Sequence, residues 1–466
     1  MSSNWSVKKL GDLVTFLSGG TPSKSNKDYW NGEIPWISAS SMQSTRYHDS
    51  DLRVTSLGST NGTRLVPAET VLLLVRGGAL HNKIPVGITT REVTFNQDVK
   101  ALVPKSEDIT PYYLLAWLIS SRELLLGKVE NTGIGAGKLD TKILQDLDVP
   151  VPPKAELLRL ELFSKALDDK IILNQNINHT LEQMAQALFK SWFVDFEPVK
   201  AKMAVLEAGG SQEDATLAAM AAISGKDAYA LAVFEREHPE QYAELKTAAE
   251  LFPSAMQDSE LGEIPEGWSI KPLDGIATYQ NGLALQKFRP ENENDFLPVV
   301  KIAQLKKGFS DGEEKASPNI KPECIIDNGD VVFSWSGSLM VDIWCGGKAA
   351  LNQHLFKVSS TKYPKWLYYK YTAHHLIEFQ RIAEAKAVTM GHIKREHLSQ
   401  AKCLMPSSET VHAFTPFFEP VLNKVISNRL ETRKLENIRD TLLPKLLSGE
   451  ITLPEAEQAV SEVENV

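Results

Sequence analysis

The chain has 466 residues, 42% hydrophobic and 23% charged, a balance that excludes a disordered or collagen-like polymer and predicts two to four folded domains. No run of about 18 apolar residues occurs, which excludes a membrane-crossing helix. The net charge of −9 disfavours a uniformly basic nucleic-acid binder, yet residues 197–267 alone carry −9 and residues 449–466 carry −5, while residues 268–448 carry +5.

The opening MSSNWSVKKLGD lacks an apolar core and does not read as a signal peptide. Residues 1–153 read as a β-rich mixed domain. The runs TVLLLV (70–75) and PVGITT (85–90) alternate with turn signals at Asn61-Gly62 and Gly77-Gly78. PYYLLAWLIS (111–120) predicts a buried helix, with Pro111 suited to its first turn. VPVPP (149–153) is stiff and extended, and punctuates the chain before the next element.

Residues 154–197 read as one long helix. Leu160, Phe163, Leu167, Ile171, Asn174, Ile177, Leu181, Met184, Leu188 and Trp192 recur at steps of three or four. A stripe this narrow and this long predicts coiled-coil packing. Residues 198–262 are rich in Ala and Glu, with high helix propensity, and read as an acidic linker with short helices. Residues 263–408 then repeat the first domain, and residues 409–450 repeat the long helix. Nine of the ten stripe positions match at a constant offset of 254, with Glu431 opposite Ile177. The packing positions expected in the pair are Leu160, Phe163, Leu167, Ile171, Leu181, Met184, Leu188, Phe417, Val421, Val425, Leu435, Ile438 and Leu442. Asn174 and Asn428 fall at matching positions, where each either points to solvent or, if buried, fixes register at some cost in stability. Residues 451–466 read as an acidic, frayed tail.

The duplication is legible in short motifs kept in order. Trp5 and Trp268 open the halves, in NWSVKKLGDLVTFLSGG and GWSIKPLDGIATYQNGL. Pro35-Trp36-Ile37 meets Pro298-Val299-Val300, and Asn96-Gln97 meets Asn352-Gln353. GKLDTKILQDLDVPVP (137–152) meets GHIKREHLSQAKCLMP (391–406). The fold class expected is α+β: two pseudo-twofold-related β-rich domains separated by two long helices that form an antiparallel coiled coil. Two similar but unequal surfaces in one chain suit an asymmetric, two-part target.

Catalytic signatures are missing from the sequence. There is no Asn/Asp-Pro-Pro-Tyr/Phe tetrapeptide, and the sole Pro-Pro pair is Pro152-Pro153. NTGIGAGKLD (131–140) departs from a phosphate-binding loop, because Thr132 stands where its first Gly is needed and Leu139 follows Lys138. His374, His375, His392 and His397, with Glu378 and Glu396, do not make a defined metal-ligand set. Cys324, Cys345 and Cys403 have spacings of 21 and 58, which fit no zinc pattern. Their odd number predicts a reducing, cytoplasmic setting.

With its Trp-opened halves, the Asn-Gln strands, GKLDTKILQDLDVPVPP, LFKSWFVDFEPV and the closing KLLSGEI (445–451), the chain resembles the specificity (S) subunits of Type I restriction–modification systems. The resemblance covers all but the Ala/Glu-rich segment. It implies a non-catalytic, DNA-binding subunit of a phage-defence complex, with residues 1–153 and 263–408 as target-recognition domains that each read one half of a split sequence. It implies double-stranded DNA, two methyltransferase (M) subunits and restriction/translocase (R) subunits as partners, and no membrane. No cofactor is expected on this chain. S-adenosylmethionine belongs on the methyltransferase subunits, and ATP and Mg on the restriction subunit. The central helix, roughly 50 Å long at 1.5 Å per residue, would act as the spacer between readers. The alternative reading is a coiled-coil scaffold that does not bind DNA.

Within the implied recognition domains, RGGALHNK offers Arg76, His81, Asn82 and Lys83. Arg and Asn make bidentate bonds to guanine and adenine edges, and glycines admit close approach. The second-domain counterparts are Trp335 and Ser336 in SWSGSLM, with Lys348 beyond. Gly133, Lys138, Lys386, His392 and Lys394 are candidates for the phosphate region. Asn96-Gln97 and Asn352-Gln353 occur in both halves and cannot specify different half-sites, so a shared structural role is expected of them.

Overall fold

The computed structural model describes residues 5–132, 135–292, 294–310, 312–385 and 391–464. The chain forms two units, one of residues 1–173 with 431–466, the other of residues 174–430. Two long helices, Lys154–Phe193 and Ser408–Ser448, contribute to both units. Among the described residues no single helix is long and apolar enough to cross a membrane.

The first unit is built on a five-stranded sheet in the order Val14–Ser18, Val99–Pro104, Val71–Leu74, Val86–Thr89, Arg46–Tyr47. Val71–Leu74 is wholly buried, which explains its unbroken apolar run. A second sheet pairs Trp30–Ile37 in parallel with Val93–Phe95, Ile37 opposite Phe95. The helix Pro111–Ser120 begins as expected, with Pro in its first turn and the Thr110 hydroxyl accepting from the Tyr113 N–H. The Tyr113 hydroxyl donates to the Pro150 carbonyl at 2.6 Å. That bond ties the helix to the strand Asp148–Val151, which pairs antiparallel with Ser6–Lys9.

The second unit repeats this plan. One sheet has the order Thr278–Asn281, Leu355–Ser359, Val331–Ser334, Met340–Ile343. Another pairs Leu297–Val300 in parallel with Ala349–Leu351, Val300 opposite Leu351. Ser269–Pro272 pairs with Lys402–Met405, and the Tyr371 hydroxyl donates to the Leu404 carbonyl. The motifs matched in the sequence are therefore neighbours in space. In each unit the strand carrying Pro35-Trp36-Ile37 or Pro298-Val299-Val300 lies beside the strand that leads into Asn-Gln.

The long helices run antiparallel in both units. In the first, Leu167 and Ile171 pack against Leu435 and Ile438, and Leu157 and Leu160 join Leu443, Leu446 and Leu447 in the β-domain core. In the second, Trp192 contacts Phe414, Phe417 and Phe418, while Val425 is buried and Leu181 and Val421 line a small apolar void. Leu188, Phe163 and Leu442 are partly buried against these clusters. Met184 departs from expectation: it is 52% exposed, and Ala185 is buried in its place. The seam advances by four at Asn174, to Asn178 rather than Ile177. Asn178 donates to the Val425 carbonyl at 3.1 Å and accepts from the Asn428 amide at 2.9 Å. Asn174 and Asn428 are both buried, so the polar layer lies inside the pair.

Two segments are more ordered than the sequence suggested. The expected linker folds as four helices, Glu197–Glu207, Gln212–Ser224, Ala228–Glu237 and Pro239–Leu251. Their Ala219, Met220, Leu231, Leu245 and Ala249 enter the core of the second unit. Lys202 is buried there, its ammonium donating to the carbonyls of Ala249, Glu250 and Phe252, where the last helix ends. The expectation of a frayed tail is corrected: Leu453–Glu464 is a helix. Ala456 is fully buried in the first unit with Leu453 packed against the same cluster, and Val460 packs against Leu167, Ile171, Leu435 and Ile438. Small and apolar residues at helical spacing outweigh the acidity, and Glu455 and Glu457 are exposed.

Candidate nucleic-acid interface

In each β-domain three distant chain segments meet at one place. In the first unit the segments are the end of the buried strand Val71–Leu74, the Asn96-Gln97 turn and the hairpin arm Ala136–Lys138. Val75 N–H donates to the Asp98 carbonyl at 2.8 Å, and Leu139 N–H donates to the Val75 carbonyl at 2.8 Å. Arg76–Gly77 then pairs antiparallel with Ala136–Lys138, Arg76 opposite Lys138 and Gly77 opposite Gly137. Gly137 is required by this approach, since a Cβ there would lie 2.8 Å from Leu80 Cβ and from Val129 Cγ1. His81 closes the loop with a 2.9 Å contact between Nε2 and the Gly135 carbonyl.

Two segments proposed from the sequence, RGGALHNK and the stretch around Lys138, thus form one surface. Arg76, His81, Asn82 and Lys83 are exposed on it. Lys83 reaches the Gln43 carbonyl oxygen of its side chain at 3.3 Å. Lys138 is half-buried and bonds Asp140 at 3.0 Å, and that ammonium holds the Asp140 carboxyl below the usual carboxylate range. Gly133 lies outside the described residues.

The second unit brings the equivalent segments together. Trp335 N–H points to the His354 carbonyl at 3.4 Å, and Ile393 N–H donates to the Trp335 carbonyl at 3.0 Å. Ser336 bridges His392 in an antiparallel pair, and Gly337 N–H donates to the Gly391 carbonyl at 2.8 Å. The Trp335 indole lies 5.8 Å from the His354 ring and 6.4 Å from the His392 ring, centroid to centroid. Its Nε1 donates to the Gln353 carbonyl at 3.2 Å. Ser336 is buried, and its hydroxyl meets His354 Nδ1 at 3.0 Å. His392 and Lys394 are exposed, and Lys394 lies 3.5 Å from Glu396.

Lys348 does not belong to this surface. It follows the Gly346-Gly347 turn, where Gly347 N–H donates to Asn328 Oδ1 at 2.7 Å. That turn is at the start of the strand Val331–Ser334, whereas Trp335 is at its end. Proximity in sequence misled here, because the strand Met340–Ile343 carries the chain back along the sheet. Lys386 lies outside the described residues. Sequence reading also missed Lys306, whose ammonium donates to Ser338 at 2.8 Å, and Arg395, which donates to the Tyr279 carbonyl at 3.2 Å. Lys306 lies in no motif, and Arg395 lies in GHIKREHLSQAKCLMP beside Lys394 with nothing local to single it out.

The shared Asn has the structural role expected of it. Asn96 Oδ1 accepts from the Asp98 N–H at 3.1 Å, and Asn352 Oδ1 accepts from the His354 N–H at 3.2 Å. Both are Asx turns that end a strand. A Cβ at Gly19 would lie 2.2 Å from the Phe95 carbonyl oxygen, and one at Gly282 would lie 2.2 Å from that of Leu351. The glycine near the start of each half is thus demanded by the turn just after Phe95 and Leu351. Among the described residues no group of three or more His, Cys, Asp or Glu is placed to hold a metal ion. His374 and His375 are driven below the usual histidine range by burial, His375 to about 4.

The Type I restriction modification DNA specificity domain family matches residues 2–183 and 265–438, one match per half. The chain belongs to this family. Among its relatives, the HindI specificity subunit of Haemophilus influenzae is 29% identical over 362 residues, covering 75% of this chain and 79% of that one. The MjaIX specificity subunit of Methanocaldococcus jannaschii is 25% identical, covering 97% of this chain and 94% of its own. The solved S subunit of a Type I restriction-modification system from M. genitalium aligns with 95% of this chain and 96% of its own at 11% identity, with a TM-score of 0.48. As a member of the family this chain is a DNA-specificity protein, and the converging surfaces just described are its candidate reading surfaces.

Proposed function

We propose that this chain is the non-catalytic DNA-reading subunit of a Type I restriction–modification complex, with one half-site of a split target read by each β-domain. The observation that carries the proposal is the repeated convergence of three segments onto one exposed surface, with the same backbone frame and different side chains. Arg76, His81, Asn82 and Lys83 dress the frame in the first domain, and Trp335, His392 and Lys394 dress it in the second. A shared frame with different readers is what an asymmetric two-part site requires. The guanidinium and amide groups suit base edges in the major groove, and the ammonium groups suit phosphates.

In this reading two methyltransferase subunits dock on the helices and supply S-adenosylmethionine chemistry, and restriction subunits supply ATP- and Mg-dependent cleavage. The setting is the cytoplasm, and this chain binds no cofactor of its own. The negative net charge does not oppose the reading, because much of it sits in the four-helix segment 197–251 and the terminal helix.

The test is a methylation map. The chain is co-expressed with a Type I methyltransferase subunit from the same organism in a host that lacks modification, and the genomic DNA is sequenced by a method sensitive to methylated bases. The expected outcome is a split motif with a fixed gap that disappears when this chain is omitted. A co-purifying complex that leaves no motif would favour the scaffold reading instead.

A further inference from the structure

The duplicated Asn-Gln pair divides into two roles. The fold accounts for Asn96 and Asn352, which close Asx turns and are buried. The side chains of Gln97 and Gln353 are exposed, and the fold gives each a single contact that leaves an amide hydrogen over. Yet both survive in halves whose other residues at this place differ, exposed Arg76 and half-buried Lys138 against half-buried Trp335 and exposed His392. Each Gln also sits within the converging segments. Gln97 precedes Asp98, whose carbonyl accepts from Val75 beside Arg76. Gln353 supplies the carbonyl that accepts from the Trp335 indole.

A side chain common to both domains contacts something common to both half-sites. The sugar–phosphate backbone is such a feature, and it positions a reader without specifying sequence. The amide geometry favours the same ligand. Gln97 Oε1 already accepts from the Thr21 hydroxyl at 2.7 Å, which leaves its NH2 as the outward group. A glutamine that reads adenine must offer oxygen and NH2 together, whereas a phosphate oxygen only accepts. Gln353 Nε2 lies 3.5 Å from His354 Nε2, and its second hydrogen remains available for a phosphate.

We propose that Gln97 and Gln353 are matched positioning residues, each donating its amide NH2 to a DNA phosphate and setting the register of its domain on the duplex. The proposal rests on the DNA-reading function proposed above. It is tested in the assembled complex of full-length chain and methyltransferase subunit. Binding is measured to a duplex bearing the motif mapped for the wild type and to a random-sequence duplex of equal length. Gln97→Ala and Gln353→Ala are each expected to weaken binding to both duplexes by about three- to tenfold, the worth of one hydrogen bond. The methylated motif should be unchanged. The slope of affinity against salt should also be unchanged, because a neutral amide releases no counterion.

Thermal unfolding of each variant chain at wild-type temperature shows that the loss is not one of folding. Unchanged binding in either variant overturns the proposal, and so does a motif relaxed at one base pair, which would make that Gln a base reader. A wild-type complex that binds neither duplex overturns the underlying function instead, so the two failures are distinguishable.

Discussion

His375 shows how a single half-buried side chain makes the second unit sensitive to acid. It is packed on the helix Lys365–Ala385, with Nε2 3.1 Å from the Lys402 carbonyl and 3.8 Å from Cys403 Sγ. Burial, then the neighbouring His374, lowers its pKa to about 4. In the unfolded chain a histidine titrates near 6.5. The unfolded state therefore takes up the proton first as the pH falls. Stability is intact above about pH 6.5, declines between 6.5 and 4, and declines no further from this group below 4. At pH 5 the loss amounts to about 2 kcal/mol. His375→Gln keeps an N–H donor for the Lys402 carbonyl and removes the titration. Its urea-unfolding free energy should therefore fall by about 2 kcal/mol less than the wild type's between pH 7 and pH 5. Parallel pH profiles for the two proteins would show that His375 is not the sensor.

At the scale of elements, each β-domain is tied to both long helices by a charged hub, and the hubs have opposite sign. In the first unit the hub is Asp168 on the central helix. It accepts from Thr45 at 2.7 Å, from Arg46 at 2.5 Å and from Arg439 at 3.4 Å. Asp168 and Arg439 are both nearly inaccessible to solvent. In the second unit the hub is Arg429 on the other long helix, donating to Asp342 at 2.7 Å and to Glu182 at 2.9 Å. These carboxylates hold the Arg429 guanidinium above its usual range despite burial. Removing one partner from a buried pair strands the others, at about 3–5 kcal/mol. Asp168→Ala should therefore lower the urea-unfolding free energy by about that amount and speed amide exchange in residues 43–48. Lys154→Ala, which loses an exposed pair with Glu107, should cost less than about 1 kcal/mol. Equal effects from the two substitutions would remove the hub from the account. None of this was legible in the sequence, because the stripe argument weighs only apolar residues. The same bias placed Ile177 and Met184 on the seam. The Asn178–Asn428 bond pulls the seam one residue onward, and small Ala185 then takes the inner position that Met184 was expected to fill. What was legible was the long helices themselves, the Trp-opened repeats and the glycine-bounded turns, all of which rest on local spacing. Strand neighbours such as Val75, Asp98 and Leu139 lie far apart in the chain, so their meeting emerged only with the fold.

For the whole molecule, the repeated plan makes the reading surfaces separable. Every segment of the first surface, Val75–Lys83, Asn96–Asp98 and Gly135–Leu139, lies within residues 1–153. Every described segment of the second lies within residues 263–408. Among the described residues neither surface includes one from the other domain, so a change of reader need not disturb its counterpart. Replacing residues 1–153 by the corresponding segment of another family member should therefore alter one half of the methylated motif and leave the other intact. The hubs add a condition that motif similarity alone does not supply. The incoming domain has to present a cation where Arg46 meets Asp168, or Asp168 is left buried beside Arg439 with one partner fewer. An exchange that lacks this cation should assemble poorly. The methylation map of the exchanged chain is the deciding measurement, because a motif altered in both halves would mean that the domains do not read independently.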